Sequence, residues 1–230
     1  MIICTLVRDL PEAKPMSEKG AAGDFFPVKQ MLWTVPNILT WIRIAAIPLI
    51  VLLFYAPYYW ADPAAGLLFA AAGITDSLDG YLARRLNQTS RLGAFLDPVA
   101  DKLVVAVALV LLISKELPPE VPTLWHMPLD RARMLLALTA VVIIGREIAI
   151  SALREWMAEL GQRGKVAVSA IGKYKTILQI IGLSLMLFRW DLLGVPIFSI
   201  GFLFTVVAAA FTLVSMVSYL RAAWPELKRQ

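Results

Sequence analysis

The stretch DSLDGYLARRLNQTSRLGAFLDPVAD, residues 76–101, sets four aspartates between two apolar runs. Asp76, Asp79, Gly80, Ala83 and Arg84 fall at i, i+3, i+4, i+7 and i+8, one face of a helix. Gly93, Asp97 and Asp101 fall at i, i+4 and i+8, one face of a second. A reversal near residues 87–91 puts Asp79 and Asp97 at similar depth, with Asp76 and Asp101 about one turn deeper. Four carboxylates then face one another across a helix pair. Outside this motif lie the uncharged stretches Pro63–Thr75 and Leu103–Ile113, and two more follow at Met134–Gly145 and Thr176–Phe188. At 11 to 13 residues each, they reach roughly 17–20 Å, short of a hydrocarbon core of about 30 Å. Ile44–Ala61, 18 uncharged residues, and Val195–Leu220, 26 of them, are the longest apolar runs.

Composition fits this reading. Of 230 residues 59% are apolar and 17% charged, and the mean hydropathy is +0.71. A soluble domain of this size cannot hide that much apolar surface. The expectation is an all-α integral membrane protein with six transmembrane helices, near 38–60, 63–86, 92–113, 132–154, 168–188 and 195–220. The four short stretches have their polar groups at the ends of alternating helices that meet on one side: Asp76, Asp79 and Arg84; Asp97, Asp101 and Lys102; Arg146, Glu147 and Arg154; Lys173 and Lys175. One polar cavity open to one face accounts for that coincidence. Arg85, Arg91, Arg163, Lys165, Arg221, Lys228 and Arg229 outweigh Lys115, Arg131, Arg133 and Arg189 on the other side. The positive-inside rule therefore predicts that both termini and the cavity face the cytoplasm. Residues 1–36 mix acids and bases and read as a cytoplasmic tail ending in an interfacial segment, 37–222 as the six-helix domain, and 223–230 as a C-terminal tail. Asn37 suits the N-cap of the first span. A single cysteine, Cys4, excludes an intrachain disulfide, and one histidine, His126, leaves no zinc-ligand set. The net charge of +5 is read as loop charge that orients the spans, with no nucleic-acid partner expected.

A charge inside a membrane helix costs about 2.5–3.5 kcal/mol on insertion scales, so the aspartates point to function rather than to a solvated stripe. Clustered carboxylates without His or Cys favour hard divalent ions, Mg²⁺ or Mn²⁺. A pair of ions would clamp a phosphoryl group for in-line displacement. Gly80, Ala83 and Gly93 either let the helices approach closely or leave room for a flat base or a pyrophosphate. Arg146, Lys173 and Lys175, joined by Arg43 from the first span, form a basic set beside the acids that suits a second phosphate. The competing reading pairs Arg146 with Glu147 or Asp101.

The run from Asp76 through Arg84, eight residues, and Gly93 through Asp101 resembles the signature of the CDP-alcohol phosphotransferases. Further similar stretches are VPNILTWIRIAAIP (35–48), GREIAISALREWMAELG (145–161) and IGKYKT (171–176), and the likeness covers about residues 34–220. The resemblance implies transfer of a phosphatidyl group from CDP-diacylglycerol to sn-glycerol 3-phosphate with release of CMP, in a homodimer surrounded by membrane lipids in the bacterial inner membrane. It implies that Asp76, Asp79, Asp97 and Asp101 hold the metal ions, with Asp101 also the general base. Gly80 and Ala83 would line the cytidine pocket, Gly93 would leave it room, and Arg84 would lie near the pyrophosphate. Two alternatives stay open. One is another acceptor within the family, as in cardiolipin, phosphatidylserine or phosphatidylinositol-phosphate synthases. The other is a divalent-cation transporter.

Overall fold

Pro57 ends the first helix. The residue before a proline is pushed out of the helical region, so α1 spans Val35–Tyr55 and stops five residues short of the expected Trp60. A computed structural model describes residues 35–86, 91–121, 125–161 and 170–227. Along these the elements are α1, α2 (Ala61–Leu86), α3 (Arg91–Ser114), α4 (Leu129–Glu159), α5 (Ala170–Phe188) and α6 (Ile197–Leu227). All six expected helices occur. Pro63 falls in the first turn of α2, where its missing N–H is harmless, and Asp62 beside it complements the positive helix end. Because α1 begins at Val35, Asn37 lies inside its first turn and is buried, which corrects the N-cap expectation. The sixth helix runs seven residues beyond the expected Leu220, so residues 223–227 are helical.

Apolar side chains face outward as well as inward, unlike those of a soluble bundle. Leu52 is 69% exposed, Val141 68% and Ile148 63%, whereas Thr40, Arg43, Arg146, Lys175 and Gln179 are buried. Large apolar faces turned outward need a nonaqueous surrounding. Hydroxyls along the helices bond back to their own backbone, Thr75 to the Ala71 carbonyl at 2.9 Å and Thr212 to that of Ala208 at 2.7 Å. This removes the cost of an unpaired donor in an apolar medium. Asn37–Tyr55, Leu129–Glu159 and Ile197–Arg221 are long and apolar enough to cross a bilayer. The described residues form the all-helical fold of a membrane protein.

Two seams of glycine bring the helices together. A Cβ on Gly182 of α5 would lie 2.9 Å from the Gly201 carbonyl oxygen on α6, and one on Gly201 would lie 2.6 Å from that of Gly182. Gly66 and Gly73, two turns apart on α2, meet the Phe188 backbone and the Ile180 side chain of α5. Around these contacts α1 packs on α2 and α3, and α4 on α3 and α6. Ile50, Phe54, Phe69, Leu112, Leu183 and Phe202 fill the centre.

One end of the bundle is knitted by polar contacts. Lys115 Nζ lies 2.9 Å from Asp62 Oδ1 at the start of α2 and 3.4 Å from the Phe54 carbonyl near the end of α1. Arg189, just after α5, donates to the Glu116 carbonyl at 2.8 Å, and its Nε lies 3.8 Å from Asp62. The Tyr55 and Ser114 hydroxyls are 2.8 Å apart. Tyr59 and Trp190 add a ring contact at 3.9 Å between centroids. The aspartates occupy the other end, because α2 runs toward it and α3 away from it.

Candidate active site

Thr40 and Arg43 sit one turn apart on α1 and meet three of the four aspartates. The Thr40 hydroxyl donates to Asp97 Oδ1. Arg43 Nη1 lies 2.9 Å from Asp76 Oδ1 and also donates to Asp101 Oδ1. Arg43 is only 2% exposed, whereas both carboxylates keep about a third of their surface open. A guanidinium is less strongly hydrated than an ammonium and holds two acids in one plane, which suits a buried position between carboxylates. Sequence reasoning grouped Arg43 with the basic set and placed no cation between the acids. The structure puts Arg43 between Asp76 and Asp101. The available signal was the polar i, i+3, i+6 series Asn37, Thr40 and Arg43 in an otherwise apolar helix.

The basic set is organised around Glu147 on α4. Its carboxylate accepts Arg146 Nη1 at 3.1 Å and also Lys175 of α5. The competing reading of Arg146 as a partner of Glu147 is therefore what the geometry displays. Pairing leaves the cluster cationic, because two positive groups share one acid. Arg146 also donates through Nη2 to Ser215 Oγ at 3.2 Å, while its Nε is buried with no hydrogen-bond partner among the described residues. Lys102, next to Asp101, donates to Ser151 of α4. Gly93 is buried in α3. The side chains of Asp79, Gly80, Ala83, Arg84 and Lys173 lie outside the described residues.

Acids and bases line two adjoining cavities. The first, of about 190 Å³, is bordered by Arg43, Gly73, Asp76, Asp101, Lys102 and Glu147. The second, of about 360 Å³, is bordered by Asp101, Lys102, Arg146, Glu147, Ser151 and Arg154. Asp101, Lys102 and Glu147 belong to both walls. An acidic lobe and a basic lobe thus meet along Asp101, Lys102 and Glu147. Among the described residues no three His, Cys, Asp or Glu side chains converge on one point. The donors that are described still fit a hard divalent ion. They are carboxylates, and a positive group already lies between Asp76 and Asp101. Two compartments sharing the carboxylates of Asp101 and Glu147 can hold two phosphorylated molecules with a proton acceptor between them.

The profile of the CDP-alcohol phosphatidyltransferase family matches residues 33–217. The chain belongs to this family. Among its relatives, a Pseudomonas fluorescens protein is 49% identical over 201 residues, covering 84% of this chain and 92% of that protein. Proteins of Shigella flexneri serotype 5b and Escherichia coli K12 are each 46% identical over 204 residues, covering 87% of this chain and all of theirs. All three are named CDP-diacylglycerol–glycerol-3-phosphate 3-phosphatidyltransferase.

Proposed function

We propose that this protein transfers the phosphatidyl group of CDP-diacylglycerol to sn-glycerol 3-phosphate, giving phosphatidylglycerophosphate and CMP. Near-half identity along almost the whole length of enzymes so named carries this reading. Such similarity favours this acceptor over those of cardiolipin, phosphatidylserine or phosphatidylinositol-phosphate synthases, and a transferase over a cation transporter. The two-lobed cleft supports it from the chemistry. In this reading the acidic lobe takes the nucleotide pyrophosphate and the basic lobe the acceptor phosphate.

The acceptor's primary hydroxyl attacks the phosphorus that bears diacylglycerol. A new O–P bond forms, the bond from that phosphorus to the oxygen of CMP breaks, and Asp101 takes the hydroxyl proton. Its place in both walls supports that role. Asp76, Asp79, Asp97 and Asp101 would hold two Mg²⁺ or Mn²⁺ ions, which supply charge neutralisation for the phosphoryl oxygens. Gly80, Ala83, Gly93 and Arg84 surround the cytidine diphosphate. Arg146, Lys173 and Lys175 take the acceptor phosphate, and Arg43 stays with the acids. The catalytic unit is residues 37–222, six helices crossing the inner membrane with the cleft and both termini cytoplasmic, working as a homodimer. The family membership supports the metal requirement and the pairing of subunits. Purified protein supplied with CDP-diacylglycerol, Mg²⁺ and a panel of acceptors tests the reading. CMP release with sn-glycerol 3-phosphate well above that with serine, inositol phosphate or phosphatidylglycerol is the expected result, and preference for another acceptor overturns it.

A further inference from the structure

Ser215 and Tyr219 stand one turn apart on α6, and the proposed transfer makes no use of them. The Ser215 hydroxyl donates to the Thr212 carbonyl at 2.9 Å, which turns its oxygen lone pairs toward Arg146 Nη2, 3.2 Å away. Tyr219 is 5% exposed. Its phenolic oxygen accepts Arg154 Nη2 at 3.1 Å. Its ring centroid lies 5.3 Å from the Arg154 guanidinium carbon and 5.5 Å from that of Arg146. One aromatic ring therefore sits against both cations.

The consequences are electrostatic and entropic. Two guanidinium groups beside one ring repel each other, and the negative ring face offsets part of that repulsion. Arg154 is otherwise exposed, and an unrestrained arginine samples many rotamers. Both arginines border the basic lobe, and the buried Nε of Arg146 keeps a donor that no described side chain uses. We infer that α6, through Ser215 and Tyr219, positions Arg146 and Arg154 and thereby sets the affinity of the basic lobe for the phosphate of the acceptor. Ser215 and Tyr219 are positioning residues and touch no substrate. The inference rests on the proposal that the basic lobe takes the acceptor phosphate, and the experiment separates the two.

Steady-state kinetics are measured for Tyr219→Phe, Tyr219→Leu and Ser215→Ala, with Arg146→Gln and Arg154→Gln as references. Loss of the phenolic oxygen or of the serine oxygen should raise KM for sn-glycerol 3-phosphate about 3- to 10-fold. Loss of the ring should raise it more than about 10-fold. The kcat and the KM for CDP-diacylglycerol should stay within about twofold, because those contacts lie in the other lobe. Slow turnover of plain glycerol, which carries no phosphate, should be indifferent to all three variants. Suppose the arginine variants raise the acceptor KM while Tyr219→Phe and Ser215→Ala leave it unchanged. Positioning by α6 is then overturned and the acceptor lobe stands. If the arginine variants also leave it unchanged, the acceptor lobe itself is wrong. A parallel loss of kcat and both KM values marks Tyr219 as a packing residue and overturns the inference. Tyr219→Phe and Ser215→Ala decide the matter if Tyr219→Leu does not fold.

Discussion

A buried guanidinium between two half-open carboxylates is a charge held in place by its neighbours. Replacing Arg43 with Gln leaves Asp76 and Asp101 facing each other without a counter-charge. Removing one partner of a fully buried pair typically costs about 3–5 kcal/mol, and the exposure of these acids brings the expected loss to about 1–3 kcal/mol. A divalent ion bound to the same acids would replace the lost charge. Arg43→Gln should therefore melt lower than the wild type in chelator and recover more than the wild type when Mg²⁺ is added. Equal Mg²⁺ shifts in the two proteins would place the ion elsewhere. Asp97→Asn should abolish CMP release while leaving the melting temperature in chelator nearly unchanged. The amide oxygen still accepts the Thr40 hydroxyl, but one negative charge leaves the ion site. Turnover near wild type in Mg²⁺ would remove Asp97 from the site. The aspartates were legible in the sequence because acids at helical spacing in an apolar helix are too costly to bury without a use. Arg43 was legible as a candidate but not as their partner, since which helix lies beside the acidic pair is a fact of packing.

At the scale of elements, periodicity and punctuation located six helices, and their ends moved where local stereochemistry overrode hydropathy. Pro57 is the clear case, cutting α1 at Tyr55 although apolar residues continue to Trp60. The close-contact glycines were not legible. Spacing drew attention to Gly80, Ala83 and Gly93 beside the acids, whereas the seams among the described residues use Gly66, Gly73, Gly182 and Gly201. Any small residue in an apolar helix is a candidate for such a seam, and only the neighbouring helix decides which are used. Gly182→Ala would drive a methyl group against backbone atoms that cannot rotate away, at 2.9 Å from the Gly201 carbonyl. A loss of about 1–3 kcal/mol is expected. Gly73→Ala meets Ile180 Cγ2 at 2.6 Å, an atom of a side chain rather than of the backbone, so even with the stiff χ1 of a β-branched residue its loss should be smaller. Thermal unfolding of both variants in one detergent checks the order, and a greater loss for Gly73→Ala would contradict the α5–α6 seam.

For the whole molecule, the proposed orientation rests on the alternation of helix directions and the excess of Lys and Arg on one side. In a Cys4→Ser background, a cysteine at the exposed Glu159 should react with an impermeant maleimide only from the cytoplasmic side. One at Tyr59, 80% exposed, should react only from the other. Labelling with the sides exchanged would turn the cleft outward. The two ends of the bundle also differ mechanically. Lys115, Asp62 and Arg189 fasten α1, α2, α3 and α5 at the end away from the cleft. Helices fastened at one end act as levers, and their free ends move furthest. At 24 residues, α3 is about 36 Å long, so a tilt of about 5° displaces its far end by roughly 3 Å. On the cleft side, Arg43 of α1 pairs with Asp76 of α2 and with Asp101 near the middle of α3, and Glu147 of α4 pairs with Lys175 of α5. A phosphate or metal ion entering the cleft competes for the charges that these pairs hold, whereas the polar contacts of Lys115, Asp62 and Arg189 lie at the opposite end and out of its reach.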